Sequence, residues 1–237
     1  MNIALLGYGK MGKVIEQIAL ERGHQITFKS SSSTTAIDLS NVDIAIDFSI
    51  PDAAVNNIST CLQQHIPVVS GTTGWLEHYH DMVELCNQTN GAFIYASNFS
   101  IGVNVFFELN TQLAKMMQHL KQYDVSIEEI HHTQKLDAPS GTAISLAEGI
   151  IEHSSNTSWK LDHATENHEI PIIAKRIGTV PGTHHVNYSS DIDTINILHT
   201  AHNRQGFALG AVIAAEWLFG KTGVYNMKDV LGLETLK

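Results

Sequence analysis

Apolar and polar positions alternate in short blocks over the first hundred residues. The chain opens on an apolar run, Asn2 to Leu6, which predicts a buried strand ending at a glycine turn. From Met11 to Arg22 the positions Met11, Ile15, Ile18 and Ala19 share one helical face. Gly23 stops that helix, and Gln25 to Lys29 predicts a second strand ahead of a polar, low-complexity loop, Ser30 to Thr35. Val42 to Phe48 predicts a third strand, followed by a helix from about Pro51, where proline suits the first turn. Pro67 to Ser70 is a fourth strand, then come Gly71-Thr72-Thr73-Gly74 and a helix from Leu76 to about Thr89. Ala92 to Ala96 is a fifth strand. Strands and helices alternating at this pitch predict an α/β fold, a Rossmann-type doubly wound parallel sheet.

After Asn98 the rhythm changes. A long helix, about Val103 to Leu120, leads to a strand, Val125 to His131, a polar loop and a helix from about Ala143 to His153. Ser154 to Glu169 reads as an irregular polar segment, and three strand-like stretches follow at Ile172 to Ile177, His184 to Ser189 and Thr194 to His199. Runs of strands after a helix predict a second, α+β domain on an antiparallel or mixed sheet. Gly206 to Phe219 returns to an alanine-rich apolar helix, expected to pack back on the first domain.

Composition narrows the functional classes. A formal net charge of −10 over 237 residues, with no basic stretch, argues against a nucleic-acid partner. It leaves room for a small anion, which a few aimed cations and backbone N–H groups can hold. Cys61 and Cys86 sit in predicted helices among apolar residues and read as buried thiols. A strand beginning at Asn2 and the lack of a long apolar run give no expectation of a signal peptide or membrane segment, so a cytoplasmic protein is expected.

The first chemical constellation is G-x-G-x-x-G at Gly7, Gly9 and Gly12, between a strand and a helix. Gly7 permits the tight turn, Gly9 lets the backbone approach a pyrophosphate, and Gly12 allows close helix–strand packing. The helix start at Lys10 and Met11 offers unpaired N–H groups to the phosphates. Where NAD sites usually carry an acid after the second strand, this chain has Lys29-Ser30-Ser31-Ser32, which suits a 2′-phosphate and favours NADPH over NADH. The alternative is a solvated loop that touches neither ribose. Asp47-Phe48-Ser49 and the Gly71–Gly74 turn also end strands, where ligands of such sheets bind, although ordinary turns would look the same.

The least ordinary segment runs from Glu128 to Ala143. His131, His132 and Lys135 follow a strand, and Ser140-Gly141-Thr142 opens a helix. A histidine acid, a fixed cation and an anion seat at a helix start together describe a pocket for a carboxylate-bearing substrate. A paired histidine also invites a metal, but no Cys, Asp or third His stands at ligand spacing, so none is expected. A solvated His-rich loop is the plainest alternative.

These stretches, in this order, resemble the 4-hydroxy-tetrahydrodipicolinate reductase (dihydrodipicolinate reductase) family of lysine and diaminopimelate synthesis. The resemblance rests on GYGKMG at 7–12, IDFS at 46–49, GTTG at 71–74, ASNFSIGVN at 96–104 and HHTQKLDAPSGTA at 131–143. It continues through Arg176-Ile177-Gly178, Gly182-Thr183-His184 and GVYNMKDVLGL at 223–233. It implies NAD(P)H-dependent reduction of a cyclic imine dicarboxylate, with His131 as general acid and Lys135 as partner of substrate charge. His132, Lys135, Ser140, Gly141 and Thr142 would bind the two carboxylates. Gly7, Gly9, Lys10, Met11, Gly12, Lys29, Asp47, Phe48, Gly71, Thr72, Thr73, Ala96, Asn98 and Phe99 would line the cofactor site. It also implies a dinucleotide-binding domain at 1–100 with 207–237, a substrate-binding and oligomerisation domain at 101–206, and a homotetramer. The chain departs from the family pattern at Lys29, at Thr183 in place of a frequent Glu, and at Thr200 in place of a frequent Arg. Two rivals are another two-domain dehydrogenase, which would lack the combined HHxxK and PSGT elements, and a non-catalytic dinucleotide sensor, which would not need them.

Overall fold

This computed structural model describes every residue except 32, 33, 35, 204 and 234–237. Ser32 of the Lys29–Ser32 stretch and part of the Ser30–Thr35 loop therefore lie outside the described residues. Backbone contacts divide the chain into two units, Met1–Ile101 with Gln205–Lys237, and Gly102–Arg204.

The first unit is built on β1 (Asn2–Leu6), β2 (Gln25–Ser30), β3 (Ile44–Asp47), β4 (Val68–Ser70), β5 (Ala92–Tyr95) and a late strand, β11 (Gly223–Tyr225). They form a parallel sheet in the order β11-β5-β4-β3-β1-β2. Its central strands are apolar on both faces because helices cover both. Ile3, Leu5, Ile44 and Ile46 pack with α1 (Lys10–Glu21) and α6 (Gln205–Leu218). Ala4, Leu6, Ala45 and Phe93 pack with α2 (Pro51–Gln63) and α3 (Tyr79–Gln88) on the other side, where Cys61 and Cys86 are buried. A small residue lets α6 approach the segment that follows β5: a Cβ at Gly210 would stand 1.7 Å from the Phe99 carbonyl oxygen. The strand order reverses between β1 and β3, so the Gly7 turn and the Asp47–Ser49 loop meet at the topological switch point where open α/β sheets bind ligands.

The second unit holds α4 (Ile101–Met117, save its first residue), β6 (Asp124–His131), α5 (Gly141–Ile151), β7 (Ser158–Leu161), β8 (Glu169–Arg176), β9 (Gly182–Ser189) and β10 (Thr194–Ala201). The sheet order is β10-β9-β6-β8-β7. The pairs on β9 are antiparallel and those on β8 parallel, so the sheet is mixed. One core joins Ile127, Ile170, Ile172 and Val186 to Leu146 and Ile150 of α5 and Phe106 of α4.

Two expectations need correction. The segment 154–169 is not wholly irregular, for Ser158–Leu161 pairs with β8 and Glu169 already belongs to that strand. A four-residue strand with only Trp159 packed on the core offers too little alternation to read. The three-residue β11 escaped notice for the same reason. The helix expected from Leu76 begins as a single 3-10 turn, Leu76–His78, before the α-helix at Tyr79. The two departures at Thr183 and Thr200 prove to be one. They face each other across β9 and β10, their hydroxyls 3.5 Å apart, as one cross-strand hydroxyl pair.

Candidate active site

Steric exclusion shapes the glycine turn. Gly7 has φ of +98°, and a Cβ there would fall 2.2 Å from the Phe48 carbonyl oxygen. A Cβ on Gly12 would fall 2.5 Å from the Gly7 carbonyl oxygen. Gly9 differs, because a Cβ there would meet nothing within 4 Å. Gly9 also caps α1 without any side-chain hydrogen bond to the first turn, leaving the N–H groups around exposed Lys10 and half-buried Met11 without a side-chain cap. Two glycines that cannot be replaced and one that leaves its side open make a turn that fits a pyrophosphate on a helix start.

Asp47 organises the neighbouring loops from beneath. Its fully buried carboxylate accepts hydrogen bonds from Ser49 Oγ (2.7 Å) and Asn57 Nδ2 (2.9 Å) on one oxygen. Ser70 Oγ and Thr72 Oγ1, both at 2.8 Å, donate to the other. Burial pushes the carboxyl pKa up, and those four donors oppose the rise. With every lone-pair direction engaged, Asp47 shapes the Gly71–Gly74 turn rather than facing outward. Phe48 acts similarly, its ring lying where a Gly71 Cβ would stand, at 2.3 Å. Phe99 is buried with its ring centroid 5.7 Å from that of Phe48. Thr72 is buried, Gly71, Ala96 and Asn98 are half-buried, and Thr73 is exposed.

Lys29 is not a free cation. Its Nζ lies 2.5 Å from Glu16 Oε1 and 4.5 Å over the Tyr8 ring, and the Tyr8 hydroxyl donates to the same Glu16 carboxylate. The mutual bond raises the pKa of Lys29 and lowers that of Glu16. The acid absent from the end of β2 is thus delivered by α1. Ser30 ties β2 to the glycine turn, its Oγ accepting from Gly7 N–H at 3.1 Å and its carbonyl from Tyr8 N–H at 2.8 Å.

In the second unit, strand alternation puts Glu129 and His131 on one face of β6, and register does the rest. Glu129 faces His184 on β9, and His131 stands beside Arg176 on β8. Glu129 Oε1 accepts from Arg176 Nη2 and from the Ser140 backbone N–H, each at 3.1 Å. Its Oε2 lies 2.9 Å from His131 Nδ1, with the ring N–H out of line for a straight hydrogen bond. Although burial alone would raise it, these partners, His131 foremost, hold the Glu129 pKa down at about 2. His184 meets the His131 ring edge-on at 5.1 Å between centroids, and burial, aided by His131, pushes its pKa down to about 4. Its Nε2 bonds Ser140 Oγ at 3.1 Å, and that oxygen also caps α5 by accepting from Ala143 N–H at 3.2 Å.

The polar loop continues this network. Lys135 Nζ contacts both Asp137 oxygens, at 2.8 and 2.6 Å, and this bond lowers the Asp137 pKa. Arg176 also donates to the Lys135 carbonyl (3.3 Å) and the Asp137 carbonyl (2.6 Å). His132 and Thr142 are half-buried, Ser140 is buried, and Gly141 is exposed with open space where a Cβ would stand. One sheet end therefore gathers an acid–imidazole pair, a lysine and the start of a helix.

Comparison with known proteins decides the family. Residues 1–99 match the family model "Dihydrodipicolinate reductase, N-terminus", and residues 102–231 match "Dihydrodipicolinate reductase, C-terminus". The chain belongs to the dihydrodipicolinate reductase family. It is 61% identical over 234 residues to the 4-hydroxy-tetrahydrodipicolinate reductase of Christiangramia forsetii, covering 98% of each chain. It is 35% identical over 197 residues to that of Methanoregula boonei, covering 81% of this chain and 76% of the relative. Among solved structures, a dipicolinate-bound dihydrodipicolinate reductase from Paenisporosarcina sp. TG-14 shares the fold, with a TM-score of 0.79, 22% identity and coverage of 95% and 97% of the two chains. The function is NAD(P)H-dependent reduction of 4-hydroxy-tetrahydrodipicolinate in lysine biosynthesis.

For this reductase, sequence reasoning named the contiguous motif and overlooked its partners. Glu129 lay inside the quoted stretch with no role, while Arg176, Gly182 and His184 lay in short motifs whose purpose only strand register reveals. His184 is also the third imidazole that spacing along the chain did not show. It joins Glu129 and His131 in a group whose ligand atoms lie within 4.8 Å of one another. The Arg176 guanidinium, 3.1 Å from the same carboxylate, already supplies the positive charge there and opposes a metal ion.

Proposed function

We propose that the second unit carries the chemistry, with His131 as general acid and Lys135 as the cation that receives a substrate carboxylate. The observation behind this is that Arg176 bonds both the carboxylate beside His131 and the backbone around Lys135. A bound NAD(P)H supplies the hydride. The residues here do the remainder: they seat the dicarboxylate, present its charge to Lys135, and deliver a proton from His131 as the ring is reduced and water is lost. His132 and the N–H groups of Gly141 and Thr142 at the start of α5 form the rest of the seat, with Ser140 fixing that helix start through its cap. Asp137 competes for Lys135, so a substrate carboxylate must share or displace it. Kinetics of His131→Ala and Lys135→Ala test the assignment. The former should lower kcat by roughly 100-fold or more, the scale of a lost general acid. Survival of kcat within a few-fold in both variants would remove it.

The first unit is assigned the dinucleotide. Gly9, Lys10 and Met11 take the pyrophosphate, and the Gly71–Thr73 turn with Ala96 and Asn98 takes the nicotinamide end. Asp47, Phe48 and Phe99 support these loops. Both dinucleotides are accepted and NADPH is preferred, but modestly, because Lys29 is shared with Glu16. The ratio of kcat/KM values for the two decides this. A homotetramer assembled through the second unit accords with Leu198 of edge strand β10, 60% exposed, and Ile173 on the same sheet face, more than a third exposed. Light scattering that returned a monomer mass would overturn it. No helix among the described residues is long and apolar enough to cross a membrane. A cytoplasmic location is proposed with the biosynthetic role and is checked by fractionation.

A further inference from the structure

The wholly buried carboxylate of Glu129 has no direct task in the reaction, yet Arg176 of β8, His184 and Gly182 of β9 and Ser140 of the loop converge on it or on its histidine. We propose that Glu129, clamped by Arg176, is a positioning residue that turns His131 so that Nδ1 faces the carboxylate and Nε2 carries the transferred proton.

The division of the carboxylate's two oxygens supports this. Oε1 is occupied by the Arg176 guanidinium and the Ser140 N–H, which leaves Oε2 directed at His131 alone, apart from His184 Nε2 at 3.9 Å. A buried ionised carboxylate is costly unless paired and hydrogen-bonded, and Arg176 meets that requirement. The opposite edge of the imidazole is kept clear by a missing side chain, for a Cβ on Gly182 would stand 3.1 Å from His131 Nε2. The titratable groups facing the pair are His184 from β9, Arg176 from β8, and Lys135 with Asp137 from the loop. His184 is held neutral by burial. The carboxylate is therefore the nearest charge to Nδ1, at 2.9 Å. When Nε2 delivers its proton, the neutral ring keeps hydrogen on Nδ1 toward Glu129, and solvent restores the lost proton. Because Arg176 also bonds the carbonyls of Lys135 and Asp137, turning the ring and setting the lysine loop depend on one guanidinium.

The inference rests on His131 being the acid, and the test separates the two. Glu129→Gln keeps size and polarity but removes the charge. It should lower kcat by roughly 10- to 100-fold, as loss of a supporting carboxylate does elsewhere. The substrate KM should change much less. An unchanged kcat in Glu129→Gln, while His131→Ala is inactive, overturns the inference and leaves the acid assignment standing. Retention of kcat by His131→Ala overturns both. If Glu129→Gln does not fold, nitrogen-15 shifts of the His131 ring in the unaltered enzyme, assigned by their loss in His131→Ala, give the answer. Hydrogen on Nδ1 of the neutral ring is expected, and hydrogen on Nε2 overturns the inference.

Discussion

The glycine turn of the first unit and the histidine loop of the second both join a strand to a helix, yet they are held by opposite means. The turn keeps its shape because side chains are missing: a Cβ on Gly7 or Gly12 would overlap backbone at 2.2 or 2.5 Å. The loop keeps its shape because charges are present, with Arg176, Glu129, Lys135 and Asp137 bonded in a chain. Steric exclusion is indifferent to pH and local in sequence. A charge network responds to pH and recruits residues from anywhere that register allows.

The comparison breaks most sharply at the glycines. Gly7→Ala combines a strained φ with a backbone overlap, which together cost on the order of 3–6 kcal/mol. That is a large part of the stability of an ordinary domain, and the thermal midpoint should fall by about 10 °C or more. Gly9→Ala should melt within a few degrees of the unaltered protein, since its Cβ meets nothing within 4 Å. Its KM for NAD(P)H should nevertheless rise roughly tenfold, because the methyl group occupies the side along which a pyrophosphate approaches. Thermal melts beside dinucleotide kinetics check both. A stable Gly7→Ala protein, or a Gly9→Ala protein with unchanged KM, would show that sterics do not govern the turn.

The same contrast explains what could be read before the structure was known. Strands β1, β3, β4 and β5 announce themselves through apolar runs such as Ile44-Ala45-Ile46, and the glycine spacing states its own geometry. His131, Lys135 and Ser140 were legible because they lie in one short stretch. Arg176 lies 47 residues beyond Glu129, and His184 lies 44 beyond Ser140; neither separation carries a signal. Lys29 was legible as a cation, but its neutralisation was not, because Glu16 reaches it from a helix whose face cannot be related to β2 by spacing. Local sterics can be read from a linear sequence, whereas pairing across strands and layers requires the register.

Acid should distinguish the two regions next. His184 has a folded pKa of about 4, below its unfolded 6.5, so the folded state resists a proton that the unfolded chain accepts. The stability it contributes is complete above pH 6.5 and is lost as pH falls toward 4. Glu129 has a folded pKa of about 2 against 4.5, so its contribution is present above pH 4.5 and is lost as pH falls toward 2. Both losses lie in the second unit, and that of His184 amounts to at most about 3 kcal/mol. Amide hydrogen exchange, corrected for intrinsic rates, should show β6 and β9 losing protection between pH 6.5 and 4 while β1 and β3 hold theirs. His184→Gln should flatten that difference. Equal loss of protection in both sheets would mean that the charge network does not dominate the acid response.

The smallest effect concerns a charge pair of the first unit, Lys29 with Glu16. Glu16 accepts from both Lys29 and Tyr8 at the end of β2, where a dinucleotide's adenosine ribose is read. Glu16→Gln removes the carboxylate, frees the Lys29 ammonium for a 2′-phosphate and leaves the glycine turn untouched. The pair is partly solvent-exposed, so its energy is modest, in the range of a few tenths to about 1 kcal/mol. The ratio of kcat/KM for NADPH over NADH should therefore rise by about two- to fivefold, with kcat at saturating cofactor unchanged. A rise that vanishes at high salt would still support the assignment, because an exposed charge contact is screened. An unchanged ratio at low salt would place the 2′-phosphate away from Lys29 and return the whole of this unit's selectivity to shape.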